Sequence, residues 1–346
     1  MNQTRHISGS IPACVKNIRE PISRHWPFFL RLMVLLSSVP LGALADPWCF
    51  IVTGDGRTDT RSATPDPTGI NTQVFTNLLH SINQRKLRPR FVLFTGDLVC
   101  GSNKAVKDDL ADQFSAWKEL VKTQAPGLSI LPVRGNHETY GDAEGKQWQA
   151  AFRAELDAQK VAYFPGEEGF SYVYSAPDHP EVAVIALDQF IRPHRVNLLE
   201  LENALERARA SHAAHVFVFA HEMAFTCASH RDAENMAAFP DDRDKFVNLL
   251  QAAGCEYFFA GHDHTYDWMS ISHKSWPAKS VLNQIVAGTA GAPFYEDQTY
   301  YGDHHGYKLL RLDHHQNTHG YLVVTIDDGL ATNRVKVTFE PVAIAP

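Results

Sequence analysis

Residues 50–59 read FIVTGDGRTD, an apolar run that ends in an acid, a glycine and an arginine. We predict a buried β-strand at 48–54, because a continuous apolar run of this length is typical of a strand covered on both faces. This strand places Asp55 at its carboxyl end and Arg57 two residues later. The presence of an acid and a base just past a buried strand is explained by motifs far away in the sequence.

Short apolar runs alternate with segments of helical periodicity through most of the chain. In 68–86, for example, Val74, Leu78 and Ile82 are spaced by four, which is typical of an amphipathic helix. After residue 265 the helical pattern disappears, and the remaining apolar runs are predicted strands joined by turns. Further strands are predicted at 90–96, 128–135, 170–176, 181–188, 215–221 and 255–262, and further helices at 104–123, 147–156, 197–210 and 241–254.

This order of elements predicts a single α/β (α+β) domain over residues 46–346, with an antiparallel end. Two packed mixed β-sheets, a β-sandwich flanked by helices, would bury this many apolar strands. The hydrophobic content of 44% and charged content of 21% are ordinary for a globular protein. We find no internal repeat or interdomain linker in the sequence.

Residues 1–45 differ in composition from the rest of the chain. A basic leader precedes an apolar stretch at 32–41, and the segment ends in Ala43-Leu44-Ala45. This order is typical of a secretory signal peptide, and the apolar stretch is short for a membrane span. We therefore expect cleavage before Asp46 and a secreted or periplasmic protein without membrane contact; an uncleaved N-terminal anchor is the alternative.

The charge balance argues against a nucleic-acid polymer as partner. The formal net charge is −7, and it falls to about −11 when the five bases and one acid of residues 1–45 are removed. Phosphate backbones select basic surfaces, so an acidic chain is a poor candidate for such a partner. A small phosphate ester held by a local metal ion stays compatible with this charge.

Polar side chains of metal-binding type follow five of the apolar strands, at the point where each strand ends. In α/β sheets this edge is where ligands bind. Two carboxylates, one amide and three imidazoles are suitable donors for a divalent or trivalent metal ion. One such residue would be an ordinary turn residue, but six in this arrangement predict a metal centre. The six are Asp55, Asp97, Asn136, His221, His262 and His264.

The motifs that carry these residues resemble those of the calcineurin-like metallophosphoesterase superfamily. Their order along the chain agrees with that of the superfamily, and they are closest to the purple-acid-phosphatase-like members. The motifs are GD at 54–55, GD at 96–97, GNHE at 135–138, VFAH at 218–221 and GHDHTY at 261–266, followed by GTAGAP at 288–293.

The resemblance implies hydrolysis of a phosphate monoester or diester by a dinuclear centre of Mn, Fe or Zn ions. Asp97 would bridge the ions, because a carboxylate has two oxygens. His137 would face the scissile phosphate, where it protonates the leaving group or stabilises the charge that builds up. By the same resemblance, Asp55 and His264 would hold the first ion, and Asn136, His221 and His262 the second.

Arg57 departs from the family pattern. Most members have a metal-binding His at this position, and a guanidinium offers no lone pair. Purple acid phosphatases lack that His but have a Tyr three residues after the bridging Asp, where this chain has Cys100. Three explanations stay open. Arg57 binds the substrate phosphate, Cys100 binds the metal as a thiolate, or the first metal site is weak or absent.

The cysteines are also candidates for disulfides. Cys49, Cys100, Cys227 and Cys255 follow the leader, and an even number in an oxidising compartment favours pairing. Cys100–Cys227 is the first pairing we predict, because both residues lie on loops next to the metal side. Cys49 and Cys255 would pair only if their strands are neighbours.

Other candidates have two interpretations each. Asp59 is either a substitute ligand or a turn residue, and Glu138 either supports a ligand or His137 or lies on the surface. Asp188 ends a buried strand, and we expect it to be structural. A group of aromatic and imidazole side chains after GTAGAP lines either the pocket or a solvated loop: Tyr295, Tyr300, Tyr301, His304 and His305. A turn between late strands is expected to contain His314, His315 and His319.

The sequence therefore predicts an exported, metal-dependent phosphoric ester hydrolase that acts on a small phosphate ester. Arg57 supports an alternative, a non-catalytic or single-metal exported protein that binds a phosphorylated ligand on the same fold. A cell-surface interaction protein anchored by residues 26–45 is a further alternative. Substrate choice is assigned to the loops 223–240 and 289–305, and the oligomeric state is left open.

Overall fold

The computed structural model describes residues 46–230, 234–296, 302–332 and 334–344, with the side chains of 302–304 excepted. The signal peptide predicted at 1–45, together with Tyr300, Tyr301 and the side chain of His304, lies outside the described residues. Within these ranges, no helix has the length and apolar character needed to cross a membrane.

The described chain contains five α-helices. Each carries an apolar face, and most begin at a polar residue that caps the first turn. In α1, for example, the Asn71 side chain accepts a hydrogen bond from the Val74 N–H, so the helix begins later than residue 68. The helices are α1 Thr72–Asn83, α2 Leu110–Gln124, α3 Lys146–Ala158, α4 Leu198–Ala210 and α5 Pro240–Ala252.

Fourteen strands are present in the described ranges, and they agree closely with the predicted apolar runs. The short β4 and β11 were not predicted. The strands are β1 Trp48–Thr53, β2 Val92–Phe94, β3 Ile130–Pro132, β4 Ala162–Tyr163, β5 Tyr172–Ala176, β6 His179–Ala186, β7 His215–Phe219, β8 Tyr257–Ala260, β9 Tyr266–His273, β10 Leu282–Ala287, β11 Gly302–His304, β12 Tyr307–His315, β13 Gly320–Ile326 and β14 Val335–Pro341.

The strands form two mixed sheets, as predicted. One has the order β14-β13-β1-β2-β3 and the other β11-β12-β9-β10-β8-β7-β6-β5-β4. In the first sheet β1, β2 and β3 are parallel, and in the second β6, β7, β8 and β10 are parallel. The remaining pairs are antiparallel, which agrees with the antiparallel end predicted for the chain.

Side-chain alternation along the strands separates three layers of core. In β1, Phe50 faces the second sheet, where it packs against Phe217 and Phe259. Ile51 points the opposite way, into the apolar cluster beneath α1, α2 and α3. Helices α4 and α5 cover the outer face of the second sheet. The fold is thus the predicted sandwich flanked by helices, with period-2 strands buried on both faces.

This topology places the predicted donors together. The carboxyl ends of β1, β2 and β3 open at one edge of the first sheet, and those of β7 and β8 at the adjoining edge of the second. The loops at these ends carry Asp55, Asp97, Asn136, His221 and His262. Parallel strands are the reason, because they present all their carboxyl ends at the same edge.

Two local predictions were wrong. His314 and His315 belong to strand β12 and not to a turn. Cys100 and Cys227 are not paired, and neither are Cys49 and Cys255; all four are free and buried.

The two cysteines of the predicted Cys100–Cys227 disulfide have different neighbours in the structure. The Cys100 Sγ lies 3.7 Å from Gln113 Oε1 of helix α2, whereas Cys227 is on the loop held by Asp263, where its N–H donates at 2.9 Å. Proximity to the same metal edge does not make two sulfurs face each other, and a disulfide requires that they do.

Asp188 is structural, as expected. It forms a fully buried ion pair with Arg134, with Nε–Oδ2 at 2.5 Å and Nη2–Oδ1 at 3.2 Å. Its Oδ1 also accepts the N–H groups of Phe190 and Ile191, each at 2.8 Å. The carboxylate therefore joins β3 to the loop after β6.

We expect Asp188→Ala to lower the free energy of unfolding by about 3–5 kcal/mol, because it leaves the Arg134 charge buried and unpaired. Urea-induced unfolding measures this. Asp157→Ala is the control, since it breaks the exposed Arg153–Asp157 pair, which is worth at most about 1 kcal/mol. Equal losses in the two variants would show that the buried pair has no special role.

Candidate metal centre

Three of the six predicted donors have an unusual backbone conformation. Asp55, Asp97 and His262 have φ values of 61°, 51° and 69°. Residues with a Cβ rarely adopt this left-handed region, and they cluster at functional sites when they do. The left-handed conformation ends each strand and turns the side chain toward the other strand ends.

Two carboxylates and one imidazole form the first part of the site. Ligand atoms of Asp55, Asp97 and His264 all lie within 4.8 Å of one another, and the three residues are buried. Among these atoms, His264 Nε2 lies 3.5 Å from Asp55 Oδ1. This spacing fits a single cation bound between the three side chains.

His221 connects the remaining donors. Its Nε2 lies 3.0 Å from Asn136 Oδ1 and 3.0 Å from His262 Nδ1. The same nitrogen is 3.5 Å from Asp97 Oδ1. Asp97 therefore belongs to both halves, and the structure brings all six predicted ligands into one group. We call Asp55, Asp97, Asn136, His221, His262 and His264 the donor cluster.

Each imidazole of the site is fixed through one nitrogen by a backbone carbonyl. A carbonyl only accepts hydrogen bonds, so the fixed nitrogen carries the proton and the other nitrogen presents a lone pair. The second partner of a metal-binding His has this orienting role in known metal sites. The pairs are His137 Nδ1–Cys100 O at 2.8 Å, His221 Nδ1–Thr95 O at 2.7 Å, His262 Nε2–Glu234 O at 2.7 Å and His264 Nδ1–Pro293 O at 2.6 Å.

This arrangement fits bound metal ions. The lone pairs of His221 Nε2 and His262 Nδ1 face each other at 3.0 Å, which is unfavourable unless a cation lies between them. Imidazole nitrogens, carboxylate oxygens and an amide oxygen are the donors that Zn, Mn and Fe ions accept. The residues present therefore match the metal centre that the sequence predicts.

Burial and neighbouring charges keep the donors in states that bind metal. Burial lowers the pKa of His221, His262 and His264, so these imidazoles are neutral. Burial would also raise the pKa of Asp97, but its interactions with His137, with His221 and with the Arg57 guanidinium outweigh burial, and the pKa is lowered. Neutral imidazoles and an ionised carboxylate are the ligand forms that metals require.

Two glycines allow the strand ends to approach closely. A Cβ on Gly135 would lie 2.2 Å from Asp97 Oδ1, and one on Gly261 would lie 2.3 Å from Asp55 Oδ2. Real side chains do not tolerate such distances, so only glycine permits these contacts. The glycine before Asn136 and the glycine before His262 are thus part of the site.

Glu138 supports the loops that carry the metal-binding residues and does not lie on the surface, in agreement with the first of the two interpretations given above. It is buried, its Oε2 accepts the N–H groups of Gly135 and Asp97 at 2.6 and 3.0 Å, and its Oε1 accepts that of Val99 at 3.1 Å. Burial and the nearby Asp97 raise the pKa of Glu138 to about 8. Its carboxyl group joins the loops after β2 and β3.

The sequence reasoning missed Asp263 and His230. The His230 ring stacks on that of His262, with centroids 3.6 Å apart and an interplanar angle of 18°. The position of Asp263 between two predicted ligands was a usable signal, but nothing in the sequence around His230 marked it. The buried Asp263 carboxylate accepts hydrogen bonds from the Thr226 hydroxyl, the backbone N–H groups of Cys227, Ala228, Ser229 and His230, and His230 Nδ1.

Arg57 lies at the edge of the donor cluster. It is buried, and its Nε is 3.5 Å from Asp97 Oδ2. Its Nη2 donates to the Tyr295 hydroxyl at 3.3 Å, and its Nη1 donates to the Thr58 carbonyl at 3.3 Å. The guanidinium thus places a permanent positive charge beside the proposed bridging carboxylate.

The structure disfavours two substitute ligands. Burial raises the pKa of the Cys100 thiol to about 12, which opposes the thiolate that metal binding needs. Asp59 accepts hydrogen bonds from the backbone and side chain of Arg61 at its Oδ1, in agreement with its turn interpretation. The explanations that stay open for Arg57 are phosphate binding and a weakened first metal site.

Comparison with known proteins agrees with this geometry. Residues 68–266 match the family described as calcineurin-like phosphoesterase. This range contains five of the six donors, while Asp55 and Arg57 precede it. A curated relative, the serine/threonine-protein phosphatase CPPED1 of Danio rerio, is 20% identical over 254 residues, which cover 72% of this chain and 73% of that protein.

Solved structures share the fold. The purple acid phosphatase PPD1 from yellow lupin (Lupinus luteus) seeds superposes with a TM-score of 0.55 at 15% identity, over 82% of this chain and 50% of that one. This chain thus spans half the length of the lupin chain. A PhoD structure gives a TM-score of 0.51 at 10% identity over 88% and 73% of the two chains, and GAP50 of Plasmodium gives 0.50 at 12% over 87% and 90%.

We expect Arg57→His to bind Mn²⁺ or Zn²⁺ more tightly than the wild type, on the order of tenfold or more. The change removes a positive charge close to Asp97 and adds an imidazole donor. Titration calorimetry on metal-stripped protein measures the affinity and the stoichiometry. Arg57→Gln is the control, since it removes the charge without adding a ligand; equal behaviour of the two variants would contradict the missing-ligand explanation.

Proposed function

We propose that this chain, which belongs to the calcineurin-like phosphoesterase family, is an exported hydrolase of a small phosphate ester whose two metal ions bind to the donor cluster. The observation that carries the proposal is the convergence of Asn136 Oδ1, His262 Nδ1 and Asp97 Oδ1 on one nitrogen, His221 Nε2, at 3.0, 3.0 and 3.5 Å.

The donors divide as the family resemblance implies. Asp55 and His264 would hold one ion and Asp97 both, with Asn136, His221 and His262 holding the other. When bound, such ions supply an activated water as nucleophile and neutralise charge on the phosphate. The contacts of Asp97 on both its oxygens support the bridging assignment.

His137 is placed to serve the leaving group. Its Nδ1 is fixed by the Cys100 carbonyl, which leaves Nε2 directed toward the cluster, 3.8 Å from Asp97 Oδ2. Its side chain is 14% exposed, so a substrate can reach it. Burial lowers the pKa of His137 to about 4, and a phosphate dianion beside it would favour the protonated ring. A proton on Nε2 would then pass to the ester oxygen as the P–O bond breaks and water adds to phosphorus.

Arg57 would bind a non-bridging phosphate oxygen. Among the residues that the structure describes, its Nε is a buried donor without a hydrogen-bond partner, although it faces Asp97 Oδ2 at 3.5 Å. A guanidinium with a free N–H is a good anion ligand. The same contact supports a second candidate function, a single-metal or non-catalytic protein that binds a phosphorylated ligand, because the Arg57 charge opposes a cation beside Asp97.

Export of the chain is part of the proposal and rests on the composition of residues 1–45. The basic leader, the apolar stretch and Ala43-Leu44-Ala45 support cleavage before Asp46. We expect N-terminal sequencing of the protein recovered outside the cytoplasm to begin at Asp46. An intact leader on that protein would support the membrane-anchored alternative.

Metal-loaded protein is expected to hydrolyse p-nitrophenyl phosphate or its bis ester, with the activity abolished by chelation and restored by Mn²⁺, Zn²⁺ or iron. His137→Ala should keep its metal content and lose about 10²–10⁴-fold in kcat, the usual contribution of an acid catalyst. His80→Ala, an exposed histidine on α1, is the control. No turnover of either ester with any metal would leave the binding-protein function as the better account.

A further inference from the structure

Three aromatic rings lie against three histidines of the site, each on a different loop. Tyr140 follows β3, Phe190 follows β6 and Tyr295 follows β10. We call these three residues the aromatic mouth. The ring centroids are 4.9 Å apart for Tyr140 and His137, 6.1 Å for Phe190 and His221, and 4.0 Å for Tyr295 and His264.

The aromatic mouth is separate from the hydrophobic core. None of its three members belongs to the buried apolar clusters of the described residues. Tyr140 is 44% exposed, and Phe190 and Tyr295 are half-buried. Packing of the fold therefore does not account for aromatic side chains at these three places.

Hydrogen bonds hold the two tyrosine rings in position, and a backbone hydrogen bond holds the segment that carries Phe190. The Tyr140 hydroxyl accepts a hydrogen bond from Asn136 Nδ2 at 3.1 Å, and that of Tyr295 accepts one from Arg57. The backbone N–H of Phe190 donates to Asp188, whose partner Arg134 lies 5.9 Å from the Phe190 ring. Rings fixed before binding lose little conformational entropy when a ligand packs on them.

Because the three rings lie beside the donor cluster, they would contact the organic group of a phosphate ester bound there. A phosphate at the cluster would carry its organic group outward, past His137 and toward the exposed rings. Aromatic rings favour flat partners through offset stacking or edge-to-face contact, beyond the gain from buried area. A saturated group of equal size gains the area alone.

We propose that the aromatic mouth selects phosphate esters whose organic part carries a planar ring, as in benzyl, aryl or nucleoside phosphates. The inference rests on the proposed phosphoesterase function of the same site. Tyr140 and Phe190 are the specificity-determining residues, and Tyr295 adds a third ring next to Arg57.

Benzyl phosphate and cyclohexylmethyl phosphate test the proposal. Both are esters of primary alcohols and differ mainly in ring planarity, so a difference in kcat/KM reports ring recognition more than leaving-group chemistry. We expect the metal-loaded wild type to prefer the benzyl ester by about two- to tenfold for each ring in contact. A ratio near one in the wild type overturns the proposal, while turnover itself leaves the phosphoesterase function standing.

Tyr140→Leu and Phe190→Leu should each lower the benzyl preference, since leucine keeps apolar volume without a ring. Tyr140→Phe should retain the preference, which separates ring contact from the hydrogen bond to Asn136. Tyr163→Leu is the matched control, because this tyrosine lies on β4 and contacts Asp157. An unchanged ratio in both leucine variants, with native circular dichroism, contradicts the assignment.

Equilibrium binding provides a readout that does not need turnover. Benzylphosphonate should bind more tightly than cyclohexylmethylphosphonate by the same ratio, measured by calorimetry. Tighter binding of the benzyl compound without hydrolysis of either ester would support the aromatic mouth and count against the phosphoesterase function. The kcat/KM values of a nucleoside 5′-monophosphate and of ribose 5-phosphate then show whether the planar ring is a nucleobase. If these two values are equal and benzyl phosphate is still preferred over cyclohexylmethyl phosphate, the site is assigned to aryl or benzyl groups.

Discussion

The rest of the site depends on the contacts that the Asp97 carboxylate makes through both of its oxygens. Its Oδ1 lies near His221 Nε2 and accepts a hydrogen bond from the backbone N–H of His137, and its Oδ2 faces the Arg57 guanidinium. Its own backbone N–H is held by Glu138, which also binds the loop after β3. The two sheets meet at this carboxylate, so its position fixes the distance between the donors from one sheet and those from the other.

Arg57 distinguishes this chain from the pattern it otherwise follows. A charged guanidinium beside a carboxylate helps to keep the pKa of Asp97 low, yet it opposes a cation at the same place. An anionic substrate would resolve this conflict, because its phosphate would attract both the arginine and any cation bound to the donor cluster. Arg57 would therefore contribute favourable electrostatic energy mainly when a phosphate is bound at the site.

Much of the fold and the donor cluster could be predicted because both follow from the strands. Apolar runs identify the strands, parallel strands open at one edge, and the residue after each run is then a candidate ligand, as for Asp55 and His221. Loop conformation is not encoded in this way. The stacking of His230 on His262 depends on how Asp263 folds residues 226–230, and the wrong Cys100–Cys227 pairing came from inferring side-chain direction from chain position.

Metal content tests the central claim most directly. Metal-stripped protein dialysed to equilibrium against Mn²⁺ or Zn²⁺ and examined by elemental analysis should contain two ions per chain, and Asp97→Ala should contain close to none while keeping its native circular dichroism. One ion or none in the wild type would contradict a dinuclear centre. Two ions in both proteins would show that Asp97 does not join the halves of the donor cluster.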